Sequence, residues 1–323
     1  MQNALRRLGS IDECEARTLT SQATRGSPTN SGHVSVGRRN HPWSWISRGG
    51  RLRGGLVYAT ALVFTVLLAL GSGSYALGAA PPVAASSLAL PRVLPAREIR
   101  LPILEYHRVD RITSHLSPLT RRLTVTPAVF AAQMNWLKVH GFHAVTQLEA
   151  FEGLEEGKSL PSRPIMITFD DGYRDVWGQA SPVLERLRMP ATVYVITDRV
   201  SGRDPSFLTW SELRDLERRG IAIGSHTVTH ADLATLSDAR ALAELRQSRA
   251  ALEARLGHPV QWFSYPHDDF NARVVALVRA AGYVLAVTEQ PGSQQLADQP
   301  LLLHRYEILN STGVVGLAKL LGE

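Results

Sequence analysis

The chain has 323 residues with 44% hydrophobic content, enough for one large domain or two ordinary ones with a sizeable core. Its net charge is +6, yet nine arginines against three acids (Asp12, Glu13, Glu15) fall within residues 1–55. That leaves 26 basic and 26 acidic residues in 56–323, so the body lacks the basic excess of a nucleic-acid-binding face. The single cysteine, Cys14, lies in the polar arm, which excludes an internal disulfide or a thiolate metal site in the body.

Residues 1–55 read as a disordered basic arm, rich in Ser, Thr, Gly, Asn and Arg and without apolar periodicity. Arg48, Arg51 and Arg53 then flank an apolar run from Leu56 to Leu70, which continues more weakly to Ala80. Residues 56–80 are expected to form a signal anchor or a signal peptide. Arginines on the N-terminal side predict an arm in the cytosol and a body outside it, in the cell envelope, or secreted if the segment is cleaved. A Pro/Ala-rich linker fills 81–99 and separates this run from the rest.

From residue 100 short apolar runs alternate with amphipathic stretches. Strands are predicted at Ile103–Tyr106, His143–Val145, Ile165–Phe169, Ala191–Ile196, Ile221–Gly224, Trp262–Ser264, Tyr283–Val287 and Leu301–Leu303. Helices are predicted after Thr126-Pro127 and Ser181-Pro182, over Ser211–Arg219, over Ser237–Leu256 before Gly257, and over Asn271–Ala281 before Gly282. Repeated βα units imply parallel strands. Seven or eight of them in one 100–323 domain predict an α/β fold, a distorted (β/α)7-8 barrel whose reactive residues sit at C-terminal strand ends.

Asp170-Asp171-Gly172 ends the apolar strand Ile165–Phe169. Two neighbouring carboxylates at the rim of a core are costly unless a cation sits with them. Ser225-His226-Thr227-Val228-Thr229-His230 follows the next strand but one. Two imidazoles four apart face one metal if the segment makes a helical turn or tight loop. With one Asp they give two nitrogens and one oxygen, a catalytic ligand set with open positions. The other Asp is then free to act as general base. Alone, a His-x-x-x-His is often incidental and an Asp-Asp-Gly is usually a turn. Their joint position after strands of one barrel favours a metal site.

Thr168-Phe-Asp-Asp-Gly172, Ser225–His230, Phe263-Ser-Tyr-Pro266 and the opening Leu104-Glu-Tyr-His-Arg-Val109 resemble the polysaccharide deacetylases with a NodB-type domain, carbohydrate esterase family 4. The resemblance covers about residues 100–310. The tyrosine-histidine opening looks most like the exported poly-β-1,6-N-acetylglucosamine deacetylases. The resemblance implies that Asp170 is the base, that Asp171, His226 and His230 hold the metal, and that His107 is the general acid. His304, in Leu301-Leu-Leu-His304, resembles a second arrangement in which a late histidine is the acid. His107 is preferred because its whole segment matches. Most of the family has Arg-x-Pro-Tyr where this chain has Ser264-Tyr265-Pro266-His267, so the arginine that would orient the base is absent at Ser264. The His267 N–H is an oxyanion donor on this reading. Tyr173 and Trp210 offer aromatic faces to a sugar, with Tyr265, Pro266 and His267 also assigned to substrate. Core packing is an equal reading for Trp210. His115, His140, His143 and His258 read as surface or structural.

The expected activity is metal-dependent hydrolysis of N-acetyl groups on a β-linked N-acetylglucosamine polysaccharide. Zn2+ is the metal expected for such ligands, with cobalt, nickel or iron also compatible. The partners are that glycan and a membrane through 56–80. Two other classes fit parts of the pattern. A non-haem iron oxygenase uses two His and one carboxylate, but its acid usually sits close to the first His, and here the acids precede His226 by about 55 residues. The altered third motif also suits a weak or inactive glycan-binding domain.

Overall fold

The computed structural model describes residues 97–323 apart from Ser201. The expected arm, the apolar segment 56–80 and most of the linker lie outside the described residues. Among the described residues no helix is long and apolar enough to cross a membrane.

The elements in chain order are β1 (Glu98–Arg100), β2 (Ile103–Tyr106), β3 (Arg108–Val109), α1 (Pro118–Arg122), β4 (Thr124–Val125), α2 (Pro127–Val139), β5 (His143–Ala144) and α3 (Gln147–Phe151). Then come β6 (Pro164–Phe169), α4 (Ser181–Leu187), β7 (Ala191–Val195), α5 (Trp210–Arg218), β8 (Ile221–Ser225), α6 (Asp238–Leu256) and β9 (Trp262–Ser264). A short 3-10 turn at Pro266–Asp268 precedes α7 (Ala272–Ala280), β10 (Leu285–Val287), β11 (Gln294–Leu296), β12 (Tyr306–Glu307) and α8 (Val314–Leu321).

Strands β10, β9, β8, β7, β6, β2 and β12 lie side by side and parallel, with β5 beside the start of β6. The sheet curls until its ends meet through one segment. Leu303 bridges Val287 of β10, and β12 then pairs with Leu104 and Glu105 of β2. This corrects the expected strand Leu301–Leu303. The chain must cross from one sheet end to the other there, so pairing is split between a single bridge and β12. The pairs β1–β11 and β3–β4 carried too little apolar pattern to be predicted.

Helix starts follow their caps. Thr126 caps α2 ahead of Pro127, and Asn271 caps α7. A Thr209/Glu212 capping box starts α5 one residue before the expected Ser211.

Strands β2 and β7 are buried along their whole length, because helices cover the outside and side chains fill the inside. Alternate residues point into the ring. Its lower layer is mostly apolar: Ile103, Met166, Tyr194, Leu285, Val287 and Leu303. One layer up, register and alternation bring in Glu105, Thr168 and Arg305, all fully buried. The outward set, including Leu104, Tyr106, Ile167, Phe169 and Val193, packs under α2, α4, α5 and α8. The polar layer is the floor of the site.

Candidate active site

Asp170 follows β6 directly and is 2% exposed. Its N–H donates to the Tyr106 carbonyl, which holds it against β2. Arg305 donates from Nη1 to Oδ1 (2.9 Å) and from Nη2 to Oδ2 (2.8 Å), a two-point guanidinium–carboxylate pair. Ser264 Oγ donates to Oδ2 as well (2.9 Å). Burial pushes the Asp170 carboxyl up, but the Arg305 guanidinium outweighs it and holds the group well below the usual carboxylate range. The third motif therefore does lack its arginine, yet the carboxylate does not. Arg305 enters from the closing segment, and the side chain at Ser264 is small enough to leave it room. Arg305 is itself pinned by Nε donation to the Thr288 carbonyl (2.8 Å).

Asp171 turns the other way. Its φ is +70°, followed by Gly172 at +79°, and the Gly172 N–H closes a tight turn onto the Asp170 carbonyl. This sends Oδ1 to 3.6 Å from His226 Nε2 and 3.5 Å from His230 Nε2, with the two Nε2 atoms 3.0 Å apart. The segment after β8 is a tight loop, with Thr227 and His230 both at positive φ. Glu244 of α6 anchors it by accepting from the N–H groups of Val228 and Thr229 (2.9 Å each). Five of the seven described non-glycine residues at positive φ (Asp171, Thr227, His230, His267 and Asp268) line this rim, so backbone strain is concentrated at the site.

The three donors suit a divalent cation. Their atoms all lie within 4.8 Å of one another. Burial, then the neighbouring His230, lowers the His226 imidazole to about 4; burial, then His267, lowers that of His230 to about 3. Both rings are thus neutral near pH 7, as a metal would require of them. His226 Nδ1 faces the Ser264 carbonyl at 2.9 Å, which fixes its proton there and aims the bare Nε2 at the shared point. The two Nε2 atoms at 3.0 Å need either a proton or a cation between them. The separations are close to the ~3.4 Å edge of a tetrahedron with bonds of about 2.0–2.1 Å.

His107 stands just past β2 and is 9% exposed. Its Nε2 lies 3.7 Å from Glu105 Oε1, and its buried Nδ1 has no hydrogen-bond partner among the described residues. It shares the rim with Asp170 and His230, each of which feels its charge. His304 is placed differently: its ring lies against Gly292 and its backbone pairs with the Gln295 side chain. Its neighbour Arg305 is the residue that enters the ring.

The residues assigned to substrate divide. Tyr173 stacks on Phe207 at 5.0 Å, has the Arg108 guanidinium 4.8 Å from its ring centre, and sits close enough to Asp171 to feel its charge. His267 is exposed, its ring 4.2 Å from that of His230. Pro266 is buried beside it. Tyr265 is a core residue wedged between Phe263 and Phe270. Trp210 opens α5, packs on the core and carries Arg255 over its ring, so it belongs to the helix layer. His115, His140, His143 and His258 lie on the surface.

Arg305, Glu105 and Glu289 did not come out of the sequence reading. Burial raises the Glu289 carboxyl to about 7, against the pull of Arg305 and His107. A signal for two of them was present: a charged residue on the inward side of an otherwise apolar barrel segment.

The structure is thus a curled parallel barrel with an Asp/His/His cluster, able to hold a cation, at its C-terminal rim. The family model described as polysaccharide deacetylase matches residues 157–286. YxkH of Bacillus subtilis, whose name places it among the polysaccharide deacetylases, is 30% identical over 219 residues, covering 68% of this chain and 74% of that one. The chain belongs to the polysaccharide deacetylase family and is a hydrolase of that class. The poly-β-1,6-N-acetyl-D-glucosamine N-deacetylase of Staphylococcus epidermidis is 31% identical over 136 residues, 38% of this chain and 47% of that one. Among solved structures, the Streptococcus pyogenes deacetylase PplD, determined with acetate, superposes with a TM-score of 0.64 at 25% identity, covering 70% of this chain and 99% of that one. A Bacillus cereus polysaccharide deacetylase gives 0.61 at 30% identity, with 69% of each chain covered.

Proposed function

We propose that this polysaccharide deacetylase is a metal-dependent N-deacetylase of a β-linked N-acetylglucosamine polymer, with Asp171, His226 and His230 as ligands, Asp170 as base and His107 as acid. The observation that carries the reading is the split of the two aspartates, Asp171 toward two neutral imidazoles and Asp170 onto a buried guanidinium. A divalent cation at the first would supply Lewis acidity to the acetyl carbonyl and to water, and zinc suits the ligand set. Asp170 takes the proton from the attacking water. Oδ2 already accepts from Arg305 and Ser264, whereas Oδ1 accepts from Arg305 and keeps a lone pair for that proton. Arg305 keeps Asp170 ionised and fixed in direction. His107 protonates the departing amine, a role an imidazole can fill at neutral pH. His267 and Tyr173 line the mouth where a sugar ring would lie.

The names of the staphylococcal relatives favour a β-1,6-linked substrate. The test is acetate release by the purified protein across β-1,4 and β-1,6 N-acetylglucosamine oligomers, before and after chelation. No acetate from any oligomer, with zinc present, would overturn the proposal. Export through 56–80 is part of the same reading, and alkaline phosphatase fused after residue 99 should then be active in cells. A silent fusion would refute that part alone.

A further inference from the structure

Three neighbouring strands of the ring, β2, β6 and β7, send their following segments over the same part of the rim. Between those segments lies an open cavity of about 420 Å³, within the usual range of small-ligand sites. Arg108 and Asp110 line it from the first, Arg174, Asp175 and Trp177 from the second, and Ser206 from the third. The cavity adjoins the candidate active site without being part of it. Arg108 follows His107 in the chain and holds its guanidinium 4.8 Å from the centre of the Tyr173 ring. Tyr173 feels the charge of Asp171 and stacks on Phe207, the neighbour of Ser206. Tyr173 thus links the Asp/His/His cluster to the cavity.

The walls are set before any ligand arrives. Asp175 accepts from the Val109 N–H and from Arg108 Nε, 2.9 Å each, which clamps the first segment to the second. The Arg174 N–H donates to the Ser206 carbonyl (2.8 Å), which ties the second to the third. The Trp177 indole N–H donates to Asp215 (2.8 Å), which fixes its ring. A wall already in place spares a ligand the cost of ordering it.

The chemistry of the walls selects the ligand. Two arginines balance two aspartates, and Arg108 is already paired with Asp175 and Asp110. A phosphate or carboxylate finds no uncompensated charge there. Arg174 gives Glu212 only its Nε, which leaves its two terminal nitrogens as donors. Those donors, the Asp110 carboxylate, the Ser206 hydroxyl and the indole of Trp177 suit a neutral ring that carries many hydroxyls. We infer that the cavity is a subsite for a second sugar of the glycan chain, one that is held rather than deacetylated, so that the enzyme prefers oligomers to small acetylated compounds. This rests on the reading of the substrate as an N-acetylglucosamine polymer, and it says where the rest of the polymer lies. The reacting sugar sits at Asp171, His226 and His230, and the chain runs past Tyr173 into the space between the segments after β2, β6 and β7.

Gly178 also lines the cavity, and a Cβ there would meet nothing within 4 Å, so Gly178→Trp puts a ring into the space without a clash at its base. Arg174→Ala removes the free donors and gives up only a half-exposed ion pair with Glu212. The experiment compares wild type, G178W and R174A as metal-loaded full-length enzymes. Each is assayed on an N-acetylglucosamine hexamer and on a phenyl acetate, which is too small to reach both places. Hexamer binding is read separately by calorimetry, with Asp170→Asn added to each protein to stop turnover. G178W should raise KM for the hexamer about tenfold or more with kcat little changed, the mark of lost ground-state binding, and weaken its binding to match. R174A should do the same to a smaller degree. Turnover of the ester should be unchanged in both. Wild-type KM and wild-type hexamer affinity in both variants would overturn the proposal, whether or not acetate is released. Equal losses on hexamer and ester would also overturn it, since they would mean a disturbed metal centre. If wild type releases no acetate while the hexamer still binds and both variants weaken it, the deacetylase reading falls and the subsite stands.

Discussion

Replacing Arg305 by Met removes the one fully buried arginine or lysine among the described residues while keeping its aliphatic length. The guanidinium is fully buried and makes two hydrogen bonds to Asp170, with Ser264 Oγ (3.1 Å), Thr168 Oγ1 (3.2 Å) and the Thr288 carbonyl completing its shell. Asp170 would keep only Ser264 as a side-chain donor, at 2% exposure. Breaking a buried pair from one side costs about 3–5 kcal/mol, because a buried charge is left without its partner. At ~2–4 °C per kcal/mol for a domain of this size, Tm should fall by roughly 6–20 °C. The kinetic sign follows from the same contact. Arg305 holds the Asp170 carboxyl low, so its loss raises that group. The acid limb of kcat/KM should then move to higher pH in R305M, while R305K, charged but unable to grip both oxygens, falls between. Calorimetry and pH–rate profiles on one oligomer decide it. Wild-type Tm together with an unmoved acid limb would refute the pairing.

Asp170→Asn should lower kcat by at least ~10²-fold while zinc still binds, read by metal titration; His226→Gln should lose the zinc instead. Gly172→Ala puts a side chain at φ +79° with its Cβ 2.9 Å from Val195 Cγ1, so it should cost roughly 1–3 kcal/mol in thermal unfolding and weaken metal binding by moving Asp171. Acid should destabilise the metal-free protein. The fold lowers the His226 and His230 imidazoles from near 6.5 to about 4 and about 3, so the unfolded state takes up protons first as pH falls. Stability should therefore decline from pH 6.5 to below 4, and H226Q should flatten that slope in Tm measured against pH.

The framework of the fold could be read because most strands of the ring announce themselves, β12 being the exception. Ile103–Tyr106 and Trp262–Ser264 fall where periodicity put them, and Thr126, Ser237 and Asn271 mark helix starts by their cap positions. The Asp/His/His cluster was legible too, since Asp171 and His226 stand within two residues of strand ends and His230 follows in the same loop. Arg305 was not. Its partner lies 135 positions away in the chain, and only ring closure makes them neighbours. Glu105 was quoted within a motif and passed over, because alternation assigns it an inward face without saying what it meets there.

The two aspartates show why a motif's letters and its function can separate. A cation beside the base is a requirement of position, not of any one strand. In a closed ring every strand delivers alternate residues to the same interior layer, so a guanidinium from the segment at 305 can occupy space that a longer side chain at 264 would otherwise fill. Ser264 then donates to Asp170 and accepts from Arg305 Nη2, so it links the pair rather than leaving a gap. The prediction that separates this from coincidence is a relocation. Ser264→Arg combined with Arg305→Leu should recover part of the activity and of the Tm lost in Arg305→Leu alone. Ser264→Arg by itself should be destabilising, since it would force two guanidinium groups onto one carboxylate within a sealed interior. If the double variant is no better than R305L, the interior is not interchangeable by position, and Arg305 acts through its own strand's geometry.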